Sequence, residues 1–477
     1  MTEQGVEDRQ GLQTGLKRRH VTMIALGGVI GAGLFVGSGA VINQTGPAAV
    51  LSYLAAGLLV VLVMRMLGEM AVANPSTGSF ADYARLSLGN WAGFTAGWLY
   101  WWFWVIVLAI EAVAGAEILQ RWVDIPIWAS SLALMVLLTL TNLASVKAYG
   151  EFEFWFASIK VAAIIAFICL ALAFVFGLTG GDGGVSNLTA EGGFAPEGFG
   201  MVLTGIVIVI FAFVGAEIAT IAAAESKEPK EAVSRATNSV IGRVLVFYVL
   251  SVFLIVAIVP WNSTELGESP FVAALDIIGI GGAADVMNAV VLTAVLSCLN
   301  SGLYVASRML FALAHRGDAP QWTIKLNSRG VPARSILLAT SVGYVSVVAA
   351  ALWPETIFLW LVNSSGAVAL FVYLLIAVSQ LRMRARLERE DPEKLEVRMW
   401  GYPWLTYLVI AAIVVVIGSM AFVDETRTQL WWSLGSLAVV LVAFAARAAF
   451  GGRHEPRDRE PRFSREGAGE RTSTPAR

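Results

Sequence analysis

The sequence predicts an all-α integral membrane protein of twelve transmembrane helices, arranged as a 5+5 inverted repeat with two extra helices. Three observations carry this prediction. Of the 477 residues, 57% are hydrophobic and only 14% are charged, against roughly 25% charged in an ordinary soluble domain. Apolar runs of about 20 residues, the length that crosses a bilayer as a helix, recur along the chain. The basic residues also collect on one side of the predicted membrane.

The apolar runs predict the helices in chain order. They lie at residues 21–43, 47–73, 91–119, 127–146, 155–178, 200–223, 238–260, 283–314, 333–353, 355–381, 403–423 and 429–450. The first ten form a transport core at 21–381, and its two sets of five lie at about 21–178 and 200–381. Because five is odd, the second set enters the membrane from the opposite side, which makes the repeat inverted.

Four further parts complete the predicted organisation. They are a cytoplasmic N-terminal segment at 1–20, a basic cytoplasmic loop at 382–402, helices 11 and 12 within 403–450, and a disordered cytoplasmic tail at 451–477. The tail is rich in Arg, Glu, Gly and Pro, a composition that cannot bury a core. The basic loop, which holds Arg382 to Arg398, is interpreted as a solvated anchor of the topology.

Orientation follows from the positive residues, because short cytoplasmic loops retain Lys and Arg. With the N-terminus inside, only Arg121 and Arg427 of the 33 basic residues fall in predicted outside loops. The two longest outside loops, 179–199 and 261–282, contain neither Lys nor Arg. We therefore expect a multi-pass protein in a lipid bilayer with both termini in the cytoplasm.

Several classes of function are disfavoured by composition. The net charge of −2 and the topological explanation of the basic residues give no reason to expect a nucleic-acid partner. Cys169 and Cys298 both lie in apolar spans, so neither a disulfide framework nor a metal site is expected. The sequence indicates no cofactor and no catalytic cluster within the spans.

The first predicted helix is interrupted in its middle by Gly28-Val-Ile-Gly-Ala-Gly33. Backbone at membrane depth leaves a helix only where it lines a cavity or is buried in protein. A second interruption, Phe211-Ala-Phe-Val-Gly-Ala-Glu217, falls in the sixth span. Paired breaks at corresponding places in two halves predict the substrate site of a transporter, although glycine also serves close helix packing.

The two breaks predict how a substrate is held. N–H groups at Gly31, Ala32 and Gly33 can bind a carboxylate at the start of a half-helix. Carbonyl groups at Val29, Ile30 and Val214 can accept from an ammonium group. An amino acid carries both charges, so it is the expected ligand. Phe211, just before the second break, is expected to cover the bound substrate.

Three charged residues within the spans require an explanation, since each costs about 2.5–3.5 kcal/mol on insertion scales. Lys160 is interpreted as a fixed internal cation that replaces a coupling ion. The alternative is a lysine that extends to the membrane interface or forms an ion pair. Glu217 is interpreted as a proton carrier or as a cap on exposed amides. Glu111 is interpreted as a partner of the substrate's amine or of another helix.

Two smaller polar sets lie in the apolar spans. Asn300 and Ser301 are interpreted either as second-layer walls of the substrate site or as interhelical hydrogen bonds. Asn363-Ser-Ser-Gly366 in the tenth span has the same two interpretations. A tryptophan cluster in the third span, Trp98 to Trp104, is assigned to membrane anchoring, with substrate gating as the alternative.

Longer strings of this sequence resemble a known family, the bacterial amino acid transporter family of the amino acid/polyamine/organocation superfamily. The similarity runs from about Leu16 to Phe450. Its strings are Gly28-Val-Ile-Gly-Ala-Gly-Leu-Phe35, Met64-Arg-Met-Leu-Gly-Glu-Met70, Asn300-Ser301, Ser307-Arg-Met-Leu310 and Arg316-Gly-Asp-Ala-Pro320. Within that family, the strings closest to the bacterial 4-aminobutyrate (GABA) permeases are Gly97-Trp-Leu-Tyr-Trp-Trp-Phe-Trp104, Tyr149-Gly-Glu-Phe-Glu-Phe-Trp155, Gly215-Ala-Glu-Ile-Ala-Thr-Ile-Ala-Ala-Ala-Glu-Ser226 and Val378-Ser-Gln-Leu-Arg-Met-Arg384.

The resemblance implies a LeuT-type fold, a bacterial cytoplasmic membrane and import of an amino acid together with protons. By position it implies that residues 31–33 hold the carboxylate, Val29 and Val214 hold the amine, and Phe211 is the aromatic gate. It also implies that Lys160 occupies the place that sodium takes in sodium-driven relatives. GABA is the leading expected substrate, with β-alanine as a close relative.

Three alternatives stay open at this stage. The chain could be a permease for another neutral or aromatic amino acid, since a few pocket side chains can switch preference. A membrane receptor that senses an amino acid is less favoured, because no folded soluble domain is visible. A membrane enzyme is least favoured, because no catalytic cluster is found inside the spans.

Overall fold

A computed structural model describes residues 18–450 of the chain, except 28–29, 77, 179–182, 225–227, 268, 354–360, 362–364 and 366. The regular elements of these residues are helical. The predicted site residue Val29 and the polar residues Asn363, Ser364 and Gly366 lie outside the described residues, as do the segments 1–17 and 451–477.

The described residues form nineteen α-helices. They are α1 (Arg18–Gly27), α2 (Ala32–Phe35), α3 (Gly37–Thr45), α4 (Ala49–Ala73), α5 (Ser79–Leu88), α6 (Asn90–Leu119), α7 (Ile127–Ala144), α8 (Val146–Val175), α9 (Asn187–Ala190), α10 (Met201–Phe213), α11 (Ile218–Ala224), α12 (Pro229–Arg243), α13 (Ser251–Ile258), α14 (Pro270–Ile278), α15 (Ala283–His315), α16 (Ala333–Leu352), α17 (Val368–Glu390), α18 (Trp404–Ser419) and α19 (Asp424–Phe450). A π-helical stretch, Val244–Leu250, joins α12 to α13.

These helices confirm the predicted all-helical membrane fold. Within the described ranges, nine helical segments are long and apolar enough to cross a membrane, and two shorter apolar helices accompany them. One of the nine, Gly33–Ala73, has 41 residues, about 60 Å of helix, which is twice the thickness of the hydrocarbon core. It therefore contains parts of two predicted spans, the first and the second. The chain is a multi-pass membrane protein.

The first span of each set of five is interrupted. In the first, α1 ends at Gly27 and α2 begins at Ala32. In the second, α10 ends at Phe213 and α11 begins at Ile218. Val214 is extended, with φ −61° and ψ 136°, and Gly215 has φ 109°. A residue with a Cβ atom rarely adopts that positive φ, which explains the glycine at the second break.

The fifth and tenth spans differ from their predicted bounds. The fifth was predicted to begin at 155, but α8 begins at Val146, where the Ser145 side chain accepts from the backbone N–H of Ala148. The tenth was predicted to end at 381, but α17 continues to Glu390. Arg384, assigned to a solvated loop, is only 6% exposed. The solvated-anchor interpretation is therefore wrong for Arg384, because a buried carboxylate at Glu69 neutralises its charge.

The long helices α6 and α15 form the centre of the molecule and pack along each other. In the most apolar part of each, 72% and 78% of the residues are buried inside the protein. The corresponding fraction for the outer helix α19 is 11%. Four elements therefore meet near the centre: α6, α15 and the two interrupted spans.

Candidate functional site

A cavity lies where the two interrupted spans meet α6 and α15. Its empty space is about 280 Å³. The residues that line it come from both breaks and both central helices: Gly31, Gly33, Phe103, Trp104, Val107, Glu111, Phe211, Ala212, Val214 and Cys298. The structure therefore brings together five of the residues predicted from the sequence to bind substrate, namely Gly31, Gly33, Glu111, Phe211 and Val214.

The two breaks approach each other closely. A Cβ atom placed on Gly33 would lie 2.8 Å from the Cα atom and 3.0 Å from the Cβ atom of Ala212. Real side chains do not come this close to backbone, so the contact requires glycine on the first break. The first and second interrupted spans thus pack directly against each other at the cavity.

Gly31 borders the polar side of the cavity. A Cβ atom there would lie 3.0 Å from the Cβ atom of Cys298 and 3.2 Å from Oε1 of Glu111. Glu111 belongs to α6 and is only 2% exposed. A buried carboxylate oxygen therefore lies in close contact with the backbone of the first break, at the edge of the cavity.

Aromatic rings close another side of the cavity. The ring centroids of Phe103 and Phe211 are 6.0 Å apart with an interplanar angle of 60°, the edge-to-face arrangement that aromatic pairs prefer. Phe211 is only partly buried. Trp104 is 1% exposed and lines the cavity, so its assignment to membrane anchoring was wrong. The position of a tryptophan in the middle of a long span, away from either interface, was the available signal.

Lys160 lies outside the cavity lining but contacts the backbone of the first break. The side chain is fully buried. Its Nζ donates to the carbonyl oxygen of Ile30 at 2.8 Å and to Oγ of Ser297 at 2.7 Å. The ammonium group therefore bridges the first break, α8 and α15. Ile30, a predicted substrate ligand, directs its carbonyl to this lysine.

Glu217 also lies outside the cavity lining, at the end of the second break. Its Oε1 accepts from the hydroxyl of Tyr100 at 2.9 Å and from the backbone N–H of Gly215 at 3.1 Å. Its Oε2 accepts from the hydroxyl of Tyr373 at 3.3 Å. The carboxylate thus caps a backbone amide freed by the break. Of the two interpretations, this geometry matches the capping role.

Asn300 and Ser301, predicted as walls of the substrate site, do not line the cavity. Oδ1 of Asn300 accepts from Nδ2 of Asn142 on α7 at 2.8 Å. The hydroxyl of Ser301 is 3.3 Å from the hydroxyl of Tyr149 on α8. Asn300 lies two residues beyond Cys298, about 200° around the helix, so it faces a neighbouring helix instead. Both residues make interhelical hydrogen bonds, which was the alternative interpretation.

Two residues with ionisable side chains near the site were not predicted from the sequence to belong to it. Cys298 lines the cavity, but cysteine in an apolar helix has no pattern that distinguishes it from core. Glu153 is fully buried and its Oε1 accepts from Oγ of Ser297 at 2.6 Å. It had been placed in the loop before the fifth span, because neighbouring charges ended the apolar run there.

These features define a class of protein: a multi-pass helical membrane protein with a mostly apolar cavity, containing one carboxylate, between two interrupted helices. Comparison with known proteins supplies the family. The model of the family described as amino acid permease matches residues 20–451, which is most of the chain. The protein therefore belongs to the amino acid permease family, and this supports the LeuT-type arrangement expected from the resemblance.

Three relatives are similar over most of their length. The gamma-aminobutyric acid permease of Bacillus subtilis is 56% identical over 441 residues, which cover 92% of this chain and 94% of the relative. The probable GABA permease of Pseudomonas aeruginosa is 54% identical over 425 residues, covering 88% and 89%. The gamma-aminobutyric acid permease of Escherichia coli is 51% identical over 432 residues, covering 90% and 92%.

Proposed function

We propose that this protein is a secondary active transporter that imports GABA, or a close relative such as β-alanine, by proton symport. The names of the three relatives support the substrate. The observation that carries the proposal is the cavity between the two breaks, whose lining combines the backbone of Gly31 and Gly33 with the Glu111 carboxylate. Such a transporter leaves its substrate chemically unchanged and uses no cofactor.

The cavity suggests how GABA lies in the site. The first N–H groups of a helix have no acceptor within it and attract negative charge, so the substrate carboxylate lies at residues 31–33. The amine of GABA is three carbons away from its carboxylate, too far for carbonyls beside the same amides. It is directed toward α6, where the Glu111 carboxylate lines the cavity. Phe211 and Phe103 cover the methylene groups.

Proton coupling is assigned to Lys160, with Glu217 retained as a second candidate. A buried ammonium that donates to Ile30 and Ser297 can hold together the elements that a metal ion would otherwise join. Loss of its proton removes the charge and weakens both hydrogen bonds. The substrate site would then be sensitive to the protonation of one side chain.

The proposed location is a bacterial cytoplasmic membrane, with the N- and C-termini in the cytoplasm. The scarcity of Lys and Arg in the outside loops supports this orientation. The partners of the protein are then the amino acid, protons and the surrounding lipid.

The test is uptake of radiolabelled GABA into proteoliposomes under an imposed inward proton gradient. Unlabelled β-alanine, alanine, proline, phenylalanine and lysine serve as competitors, and a protonophore collapses the gradient. We expect concentrative uptake that the protonophore abolishes and that GABA and β-alanine block. Lys160→Ala should lose concentrative uptake, while Lys147→Ala, which removes an exposed lysine from the same helix, should retain it.

Two results would contradict the proposal. Transport of phenylalanine or another neutral amino acid without transport of GABA would favour a permease of different specificity. Binding of an amino acid without any flux would favour the amino-acid-sensing receptor.

A further inference from the structure

We propose that Glu153 is the acceptor of the transported proton, which reaches it from Lys160 through the hydroxyl of Ser297. This inference rests on the proposed proton symport and adds to it a route and a residue. Glu153 and Lys160 both belong to α8, and Ser297 belongs to α15. We call these three residues the proton relay.

The hydrogen bonds of the relay are oriented in one direction. Nζ of Lys160 donates to Oγ of Ser297 at 2.7 Å. The same Ser297 hydroxyl donates to Oε1 of Glu153 at 2.6 Å. A proton can therefore move from the ammonium to the serine oxygen while the serine proton moves to the carboxylate. The products are a neutral amine, an intact hydroxyl and a neutral carboxylic acid, so charge and atoms balance.

The carboxylate of Glu153 is enclosed by the protein. Its whole side chain is buried, with 0% exposure. Oε2 of Glu153 has no hydrogen-bond partner among the described residues. The Ser297 hydroxyl is therefore the group from which this carboxylate can take a proton.

The direction of the relay fits import. The α-carbons of Glu153 and Lys160 are seven residues apart, about 10 Å along the helix, while their polar groups share the Ser297 hydroxyl. In the proposed orientation α8 begins at the cytoplasmic side, so the transfer carries the proton inward. Other ionisable groups in electrostatic contact with Lys160 are Glu111 and Cys298, and both line the cavity. Tyr149, one turn from Glu153, directs its hydroxyl to Ser301.

The experiment separates proton movement from substrate movement in the full-length protein. Proteoliposomes with a pH-sensitive dye inside report the protons that enter with GABA, and preloaded proteoliposomes report exchange of labelled for unlabelled GABA. The variants are Glu153→Gln, which keeps the shape of the acceptor, and Ser297→Ala, which removes the linking hydroxyl. Ser297→Thr restores a hydroxyl. Thr293→Val is the matched control, since the Thr293 hydroxyl bonds only to the carbonyl of Val290 on its own helix.

The expected result is a loss of coupling with exchange retained. GABA-dependent proton entry should fall about tenfold or more in Glu153→Gln and Ser297→Ala, recover in Ser297→Thr, and match the parent in Thr293→Val. Exchange requires no release of the proton, so it should stay within about twofold of the parent.

Each remaining outcome overturns the relay. Parental proton entry in Glu153→Gln would show that another group accepts the proton, while the proposed symport would stand. Loss of exchange in both Glu153→Gln and Ser297→Ala would show a structural role. A parent protein that transports GABA without any proton entry would remove the proposed symport and the relay together.

Discussion

At the scale of single residues, the buried charges near the cavity have separable tasks. The Glu111 carboxylate lines the cavity, the Lys160 ammonium holds the backbone behind it, and the Glu217 carboxylate caps the second break. A charge at this depth is retained only where it is paired or functional. Of these three, Glu111 alone is placed to contact a ligand directly.

Glu111→Gln tests the position of the substrate amine. Removal of the negative charge should weaken GABA binding by about 10- to 100-fold, because a hydrogen bond to a charged group contributes about 1.5–3 kcal/mol. The measurement is competition of unlabelled GABA against labelled uptake. Glu117→Gln, which alters an exposed carboxylate on the same helix, is the control. If Glu111→Gln binds GABA as tightly as the parent, the amine lies elsewhere.

At the scale of elements, the two interrupted spans act as one unit because their backbones touch. The contact with Ala212 leaves no room for a side chain at Gly33. Movement of either half-helix must therefore displace the other or open the cavity between them. This contact joins corresponding places of the two predicted repeats.

Gly33→Ala tests this contact. The added methyl would meet the backbone of Ala212 at 2.8 Å, and backbone cannot rotate away as a flexible side chain can. We expect a cost of about 1–3 kcal/mol, seen as reduced uptake and a lower midpoint of thermal unfolding in detergent. Gly418→Ala provides the comparison, since a Cβ atom there meets nothing within 4 Å. Equal uptake by both variants would refute the close contact.

The same elements show what could be predicted from the sequence. Hydropathy predicted the helices well where the chain contacts lipid, because there burial and apolar character coincide. It failed at the start of α8 and the end of α17, where Glu153 and Arg384 are buried against partners distant in the sequence. Only the three-dimensional structure identifies such partners. Gly31 and Gly33 were predicted to bind substrate because they interrupt an apolar span, and Glu111 because it is a charge within one. Cys298 has no distinguishing pattern and was missed.

At the scale of the whole molecule, a buried ion pair joins the ends of spans that are distant in the sequence. Nη1 of Arg384 on α17 lies 2.6 Å from Oε2 of Glu69 on α4. Gln380 donates to Oε1 of Glu69 at 2.8 Å and accepts from Thr406 of α18 at 3.0 Å. The backbone N–H of Met399 donates to Glu69 as well. Glu69 thus connects the second span to the tenth span and to the loop that follows it. Gln380 extends this connection to the eleventh span.

Arg384→Met tests this connection. Loss of the guanidinium leaves the Glu69 carboxylate buried without its cation, which costs about 3–5 kcal/mol. We expect a lower midpoint of thermal unfolding in detergent, partly restored in the double variant Glu69→Gln with Arg384→Met. Arg386→Met, whose partner Glu390 is exposed, should change the midpoint little. A midpoint of Arg384→Met equal to that of the parent would contradict the structural role.

In the proposed site, the peptide unit between Ile30 and Gly31 separates the proton-binding lysine from the substrate cavity. The carbonyl that Lys160 binds belongs to Ile30, and the same peptide unit supplies the N–H of Gly31, a residue of the cavity wall. In a trans peptide these two groups point in opposite directions and share delocalised electrons. A cation at the oxygen polarises the nitrogen into a better donor, and an anion at the N–H makes the oxygen a better acceptor. Under the proposed symport, the proton and the substrate carboxylate would therefore strengthen each other's binding, and by reciprocity each would loosen when the other leaves.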